Sequence, residues 1–259
     1  MLKILYLLNF IMRIPNPVKY IPNTLTLVNL LLGCLSVVSS FEGNLLFAGY
    51  LILLAAVFDF LDGFVARLLN AYSPLGKELD SLSDLVSFGV APSVIVFHLL
   101  RNSLALTPEQ GFIDGHVILA IPFLIAVFSA LRLAIFNIDT QQTTSFIGLP
   151  TPANAIFIVG VMLGLNSSYK LWFEVLTASP MAIIAMVLVL SALLVSPIPM
   201  FSLKIKKGDS VKGLWMQILL VIISVIAFLF MGLASAAVII LAYVLISIVN
   251  NVLVRFQKR

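Results

Sequence analysis

The sequence predicts an all-α fold, a polytopic membrane bundle of about eight transmembrane helices, and three observations predict it. Of the 259 residues 61% are hydrophobic and 10% are charged, where a soluble domain carries about 25% charged residues. With a mean hydropathy of +1.16, the chain has too few polar side chains to face water on every side. Apolar runs approaching the length of a membrane span, about 20 residues, recur along the chain. None alternates like a barrel strand, so helices that satisfy their own backbone groups are the remaining solution.

Residues 1–22 contain a short apolar stretch broken by Pro15 and Pro17. No small-residue cleavage site follows it, which argues against a removable leader. The segment reads as an amphipathic helix lying in the interface, with Lys3, Arg13 and Lys19 toward lipid head groups. Spans are then expected at 24–41, 44–69, 82–100, 117–136, 149–166 and 178–195, a six-helix core over 23–196. A basic loop, 197–213, leads to a final hairpin and basic tail over 214–259, with spans at 214–231 and 233–254. The hairpin turns at "MGLASAA", whose small residues permit close helix packing. No internal repeat divides the chain, and one membrane domain, 1–259, is the expectation. Cys34 is the sole cysteine, which excludes a disulfide within the chain. No long basic helix or aromatic–basic surface is present, which argues against nucleic acid as a partner.

Basic residues orient the bundle. With the N-terminus inside, that face carries Lys3, Arg13, Lys19, Arg67, Lys77, Lys204, Lys206, Lys207, Lys212, Arg255, Lys258 and Arg259. The opposite face carries Arg101 and Lys170, and Arg132 lies within a span. The expectation is a multi-pass protein of the cell inner membrane with both termini in the cytoplasm.

The stretch "DFLDGFVARLLNAYSPLGKELDSLSD", 59–84, holds Asp59, Asp62, Glu78, Asp80 and Asp84 of the chain's 11 acidic residues. On a helix Asp59, Asp62, Gly63, Ala66 and Arg67 share one face. After the turn "NAYSP", the spacing of Gly76, Asp80 and Asp84 builds a second such stripe. Helices joined by so short a turn are antiparallel neighbours, so the two carboxylate faces can converge. Asp62 lies about 10 Å inside the end of its helix, where a carboxylate is costly unless it faces a wet cavity or a cation. Interfacial charges satisfied by Arg67, Lys77 and helix ends would explain one such aspartate, but not a face-matched set. Oxygen-only ligands with no cysteine or histidine nearby favour hard divalent ions: Mg²⁺, Mn²⁺ or Ca²⁺. Gly63 and Ala66 leave room for a flat group, and Arg67 suits a phosphate oxygen.

These eight positions, Asp59-x₂-Asp62-Gly63-x₂-Ala66-Arg67-x₈-Gly76-x₃-Asp80-x₃-Asp84, resemble the signature of the CDP-alcohol phosphotransferases without a departure in spacing. The resemblance implies metal-dependent transfer of a phosphatidyl-type group from a CDP-linked donor to an alcohol, with release of CMP. It implies that Asp59, Asp62 and Asp80 ligate a divalent metal pair that holds the diphosphate. Asp84 would be a second-metal ligand and the general base for the acceptor hydroxyl. Gly63 and Ala66 would contact cytidine, with Arg67 on the diphosphate and Gly76 on the nucleotide side. "PNTLTLVN" resembles the family's nucleotide-side helix and adds Asn23 and Thr26. A homodimer is also implied.

Three further stretches, "ELDSLSDLVSFGVAP" (78–92), "SALRLAIFN" (129–137) and "GLPTPANA" (148–155), resemble the membrane-embedded phosphatidylserine synthases within that family. The substrates implied are CDP-diacylglycerol and L-serine. Arg132, on the aspartate side of its span, is the candidate for the serine carboxylate, with Asn137 as a neutral partner; the competing interpretation has Arg132 snorkel to the interface. Family members that use glycerol phosphate or inositol phosphate are the nearest alternative function. A divalent-cation transporter also places carboxylates on helix faces. It has no need of Gly63, Ala66 and Arg67, however, and no matching polar track crosses to the other face.

Overall fold

The computed structural model describes residues 20–107, 116–138, 146–201 and 215–257. Most of the expected interfacial segment 1–22 and most of the basic loop 197–213 lie outside them. The elements in order are α1 (Tyr20–Phe41), α2 (Leu45–Leu68), α3 (Pro74–Asp84) and α4 (Ala91–Ser103), with a π-helical turn at Leu85–Val90 joining the last two. A 3₁₀ segment, Val117–Phe123, opens α5 (Leu124–Ile138). Then follow β1 (Phe146–Ile147), α6 (Thr151–Leu165), α7 (Lys170–Thr177), α8 (Pro180–Leu194), β2 (Pro199–Met200), α9 (Trp215–Met231) and α10 (Ser235–Gln257).

The fold is all-α, and its span count is where expectation and structure differ. Five runs are long and apolar enough to cross a membrane, and the bent pair α7–α8 makes a sixth. The pair bends by 83°, where Ser179 caps α8 and Pro180 occupies its first turn, a position at which proline is tolerated. Helix α6 has 15 residues, about 22 Å at 1.5 Å per residue, short for a crossing of its own. Its sequence is as apolar as its neighbours', but 11 of its residues are buried among other helices. Hydropathy alone does not separate such a central helix from a lipid-facing one. Trp215–Leu253 forms one apolar run of 39 residues, yet α9 and α10 pack against each other, with Gly232 at φ +56° in the reversal.

Local chemistry explains the joints near the aspartates. Helix α2 ends with Asn70 in the left-handed region, φ 47°. The Asn70 N–H donates to Arg67 O (3.3 Å) and the Ala71 N–H to Ala66 O (2.9 Å), a paired closure that Asn and Gly favour. Two residues on, Ser73 Oγ accepts from Gly76 N at 2.9 Å and Pro74 occupies the first turn of α3, a strong opening signal. Within three residues, therefore, "NAYSP" stops one helix and starts the next.

Two serines fasten α3 and the π turn to α1. Ser83 Oγ donates to Thr26 O (3.0 Å) and Ser87 Oγ to Asn29 O (2.9 Å). Gly33 lies against Ser87 so closely that an added Cβ would sit 2.8 Å from its Cα. The two-residue strands pair antiparallel, Phe146 with Met200 and Ile147 with Pro199, and so tie the start of α6 to the exit of α8. Large apolar side chains such as Leu31, Leu35 and Val38 of α1 and Leu229 and Phe230 of α9 face outward, as they do where lipid is the surrounding medium.

Candidate active site

Asp59 and Asp62 come from the second half of α2, and Asp80 and Asp84 from α3. The antiparallel turn brings these two stripes together. One carboxylate oxygen from each of Asp59, Asp62 and Asp80 lies within 4.8 Å of the other two. Asp59 is also within hydrogen-bonding range of both Asp80 and Asp84. Asp62 is 6% exposed, and its Oδ2 accepts from Thr26 Oγ1 at 2.6 Å. Thr26 itself is held by α1, whose backbone at Thr26 accepts from Ser83. The hydroxyl thus orients one carboxylate of the trio, a common arrangement behind metal ligands. Asp84 stands outside the trio. It is 8% exposed, it faces Asp59, Asp80, Asp62 and Arg132, and its Oδ1 has no hydrogen-bond partner among the described residues.

A cavity of about 220 Å³ opens beside the trio between α1, α2 and α3. Asn23, Thr26, Gly63, Ala66 and Gly76 line it together with Asp62 and Asp80. Gly76 lets Asn23 and Ser73 close in, since a Cβ there would lie 2.9 Å from Asn23 Oδ1. At Gly63 a Cβ would meet nothing within 4 Å, so its bareness serves space rather than packing. Arg67 is exposed in the last turn of α2 and does not line this cavity, whereas Lys77, Tyr72 and Ser73 do. Lys77 was missed because it lies off the Gly76–Asp80–Asp84 stripe. The available signal was its place beside Gly76, from which a long side chain reaches the rim.

Arg132 lies near Asp84 and is 9% exposed, with Nη1 donating to Thr151 Oγ1 at 3.1 Å. It is buried rather than snorkelling, and its Nε has no partner among the described residues. It lines a second, smaller cavity of about 40 Å³ with Phe136, Ile147, Leu194 and Ser196. Asn137 is not brought into that cavity. Its Nδ2 donates to Ser81 Oγ at 2.8 Å and its carbonyl accepts from Lys77 Nζ at 2.9 Å, so it fastens the end of α5 to α3.

A model of the CDP-alcohol phosphatidyltransferases matches residues 19–196. The chain belongs to that family. A Helicobacter pylori (strain J99) protein named CDP-diacylglycerol--serine O-phosphatidyltransferase is 38% identical over 156 residues, 60% of this chain and 61% of the relative. A Bacillus subtilis protein of the same name is 36% identical over 141 residues, 54% of this chain and 74% of the relative. A Methanothermobacter thermautotrophicus protein named archaetidylserine synthase is 35% identical over 167 residues, 63% of this chain and 66% of the relative. The chain thus spans about three fifths of the length of the Helicobacter relative.

The trio fits a divalent cation on its own chemistry. Three carboxylates within 4.8 Å repel one another strongly in a low-dielectric setting, and all their donors are the hard oxygens such ions prefer. Among the described residues the only ion pair is Lys170 with Glu174, far along the chain, so no lysine or arginine neutralises the trio.

Proposed function

We propose that the protein is a phosphatidylserine synthase, which transfers the phosphatidyl group of CDP-diacylglycerol to the hydroxyl of L-serine and releases CMP. The observation that carries this is the convergence of Asp59, Asp62 and Asp80 beside the cavity between α1, α2 and α3, with Asp84 close to them and to Arg132, which lines a second cavity. Displacement at phosphorus places the attacking and leaving oxygens on opposite sides. A donor whose cytidine occupies the cavity between α1, α2 and α3 would present its phosphorus to an acceptor arriving past Arg132. The names of the relatives agree on serine and differ on the lipid, diacylglycerol in one case and archaetidyl in the other.

Asp59, Asp62 and Asp80 would hold Mg²⁺ or Mn²⁺ as a two-metal site, with Asp84 as a further ligand. A cation held there would supply charge neutralisation for the diphosphate and for the departing phosphate of CMP. Asn23, Thr26, Gly63, Ala66 and Gly76 shape the nucleotide cavity, and Lys77 supplies positive charge at its rim. Arg67, outside the lining, would meet the diphosphate only if its exposed side chain swings in. Arg132 pairs with the serine carboxylate, and Asn137 steadies the helix end that carries it. Asp84 accepts the hydroxyl proton as the serine oxygen bonds to phosphorus and the bond to CMP breaks. The basic residues favour a cytoplasmic site in the inner membrane, and the family resemblance favours a homodimer.

The deciding experiment supplies the purified protein with CDP-diacylglycerol and, in turn, serine, glycerol phosphate or inositol phosphate, with Mg²⁺ or Mn²⁺. Serine-dependent CMP release with a phosphatidylserine product is expected. CMP release that depends on either of the other acceptors would replace serine, and divalent-ion flux into vesicles without CMP would replace the enzyme.

Gly63→Ala separates space from packing. The open surroundings of Gly63 and the helix preference for alanine, about 1 kcal/mol, predict a protein of equal or higher Tm that binds CDP more weakly. Unchanged CDP binding by titration calorimetry would remove Gly63 from the nucleotide site. Arg132→Ala is expected to raise KM for serine about tenfold or more, since a charged hydrogen bond contributes roughly 1.5–3 kcal/mol, with KM for the donor little altered. An unchanged KM for serine would end that assignment.

A further inference from the structure

The C-terminal hairpin, α9–α10, lies beyond the family-matched residues 19–196. Helix α10 docks on α6, where Gly160 faces Ala237 so closely that a Cβ on the glycine would lie 2.9 Å from the alanine Cβ. Further along, α10 carries two polar side chains that reach the chain at β2. Tyr243 Oη donates to Phe201 O (3.2 Å) and Asn251 Nδ2 to Pro199 O (2.6 Å). Tyr243 is buried, and its ring packs on that of Phe201 with centroids 5.0 Å apart.

The β1–β2 ribbon is part of the wall of the cavity beside Arg132. Ile147 of β1 lines that cavity with Leu194 and Ser196 from the end of α8, and β1 is held by its pairing with β2. Gly148 turns the chain from β1 toward α6 at φ 75°, with its N–H donating to Ile198 O at 3.0 Å. A Cβ on Gly148 would lie 2.5 Å from Leu194 O, so the turn has no slack there. Thr151, fully buried, then opens α6 and accepts from Arg132 Nη1. Tyr243 also lies near Arg132, close enough for the two side chains to interact electrostatically.

The hairpin therefore meets the Arg132 cavity in two ways, through the ribbon and through Tyr243 itself. The phenolic proton is committed to Phe201 O, so lone pairs are what this hydroxyl has left for a neighbouring cation. A neutral oxygen near the guanidinium steadies it without cancelling its charge, and the charge stays available to an anion. We propose that Tyr243 is a positioning residue for Arg132: it holds the β1–β2 ribbon and the guanidinium together, so that a hairpin outside the family-matched residues sets the affinity for the acceptor carboxylate. This rests on the assignment of the serine carboxylate to Arg132.

Steady-state kinetics of the purified full chain with CDP-diacylglycerol and serine test it, with Tyr243→Phe removing the hydroxyl and keeping the ring. KM for serine should rise about three- to tenfold, the worth of one hydrogen bond, while kcat and KM for CDP-diacylglycerol stay nearly unchanged. A general loosening of the bundle would move all three together, and that result would overturn the proposal. In an Arg132→Ala background, Tyr243→Phe should raise KM for serine no further, because residues that act as one unit are not additive. An undiminished effect in that background overturns the proposal, as does an unchanged KM for serine in Tyr243→Phe alone. The two assignments fail differently. If Arg132→Ala leaves KM for serine unchanged, the carboxylate assignment falls and this proposal with it. A raised KM in Arg132→Ala beside an unchanged one in Tyr243→Phe overturns this proposal only. Should Tyr243→Phe fail to fold, Asn251→Ala, which cuts the second tie to the ribbon, decides: a raised KM for serine with kcat kept is expected, and an unchanged KM overturns the proposal.

Discussion

Asp80→Asn is expected to reduce turnover by about 10²–10³-fold, the cost of removing one preorganised charge-stabilising group, while making the metal-free protein more stable. The two effects have one origin. Asp59, Asp62 and Asp80 bring carboxylate oxygens within 4.8 Å of one another, and two like charges at that distance repel by on the order of 3 kcal/mol at an effective dielectric of about 20. Asn keeps the shape of the side chain and removes one charge, so it relieves repulsion in the empty site and weakens the cation's hold. Thermal melts with EDTA and with Mg²⁺ check this beside CMP release. The wild-type protein should gain much more from Mg²⁺ than Asp80→Asn does, and Asp80→Asn should melt higher than wild type in EDTA. Equal stabilisation of both by Mg²⁺ would remove Asp80 from the cation site.

Much of this site was legible in the sequence, because the features that form it act over short distances. A spacing of three and four residues places Asp59, Asp62 and Gly63 on one helical face whatever surrounds them. "NAYSP" carries both a helix stop and a helix start in its own side chains. Other features depend on packing and were not legible. Nothing in "SLSDLVSF" separates serines that touch lipid from Ser83 and Ser87, which bond to the α1 backbone. Arg132 and Asn137 lie five residues apart on one helix, yet the first is buried beside Asp84 while the second is engaged with Ser81. Arg67, on the right face, is exposed one turn beyond the cavity, and Lys77, off the stripe, reaches it. The count of eight spans exceeded what helix length supports because α6, as apolar as the helices around it, is buried by its neighbours rather than by lipid.

Asp84→Asn is the sharper test, because it separates the two roles assigned to that residue. Asp84 is buried, lies close to both Asp59 and Arg132, and has Oδ1 unpartnered among the described residues. A carboxylate in that position can receive a proton from a hydroxyl approaching on the Arg132 side, and an amide cannot. Asn has nearly the same volume, so the fold and the nucleotide cavity should be preserved. Turnover should fall by roughly 10²–10⁴-fold, the usual contribution of a general base, with CDP affinity little changed and a loss of rate that saturating Mg²⁺ does not restore. If Asp84 served chiefly as a cation ligand, the Mg²⁺ concentration needed for half-maximal activity would rise instead, and added Mg²⁺ would restore much of the rate. Full activity in Asp84→Asn would exclude it as the base and return the proton to solvent or to Asp59, the one carboxylate of the trio within hydrogen-bonding range of both Asp80 and Asp84.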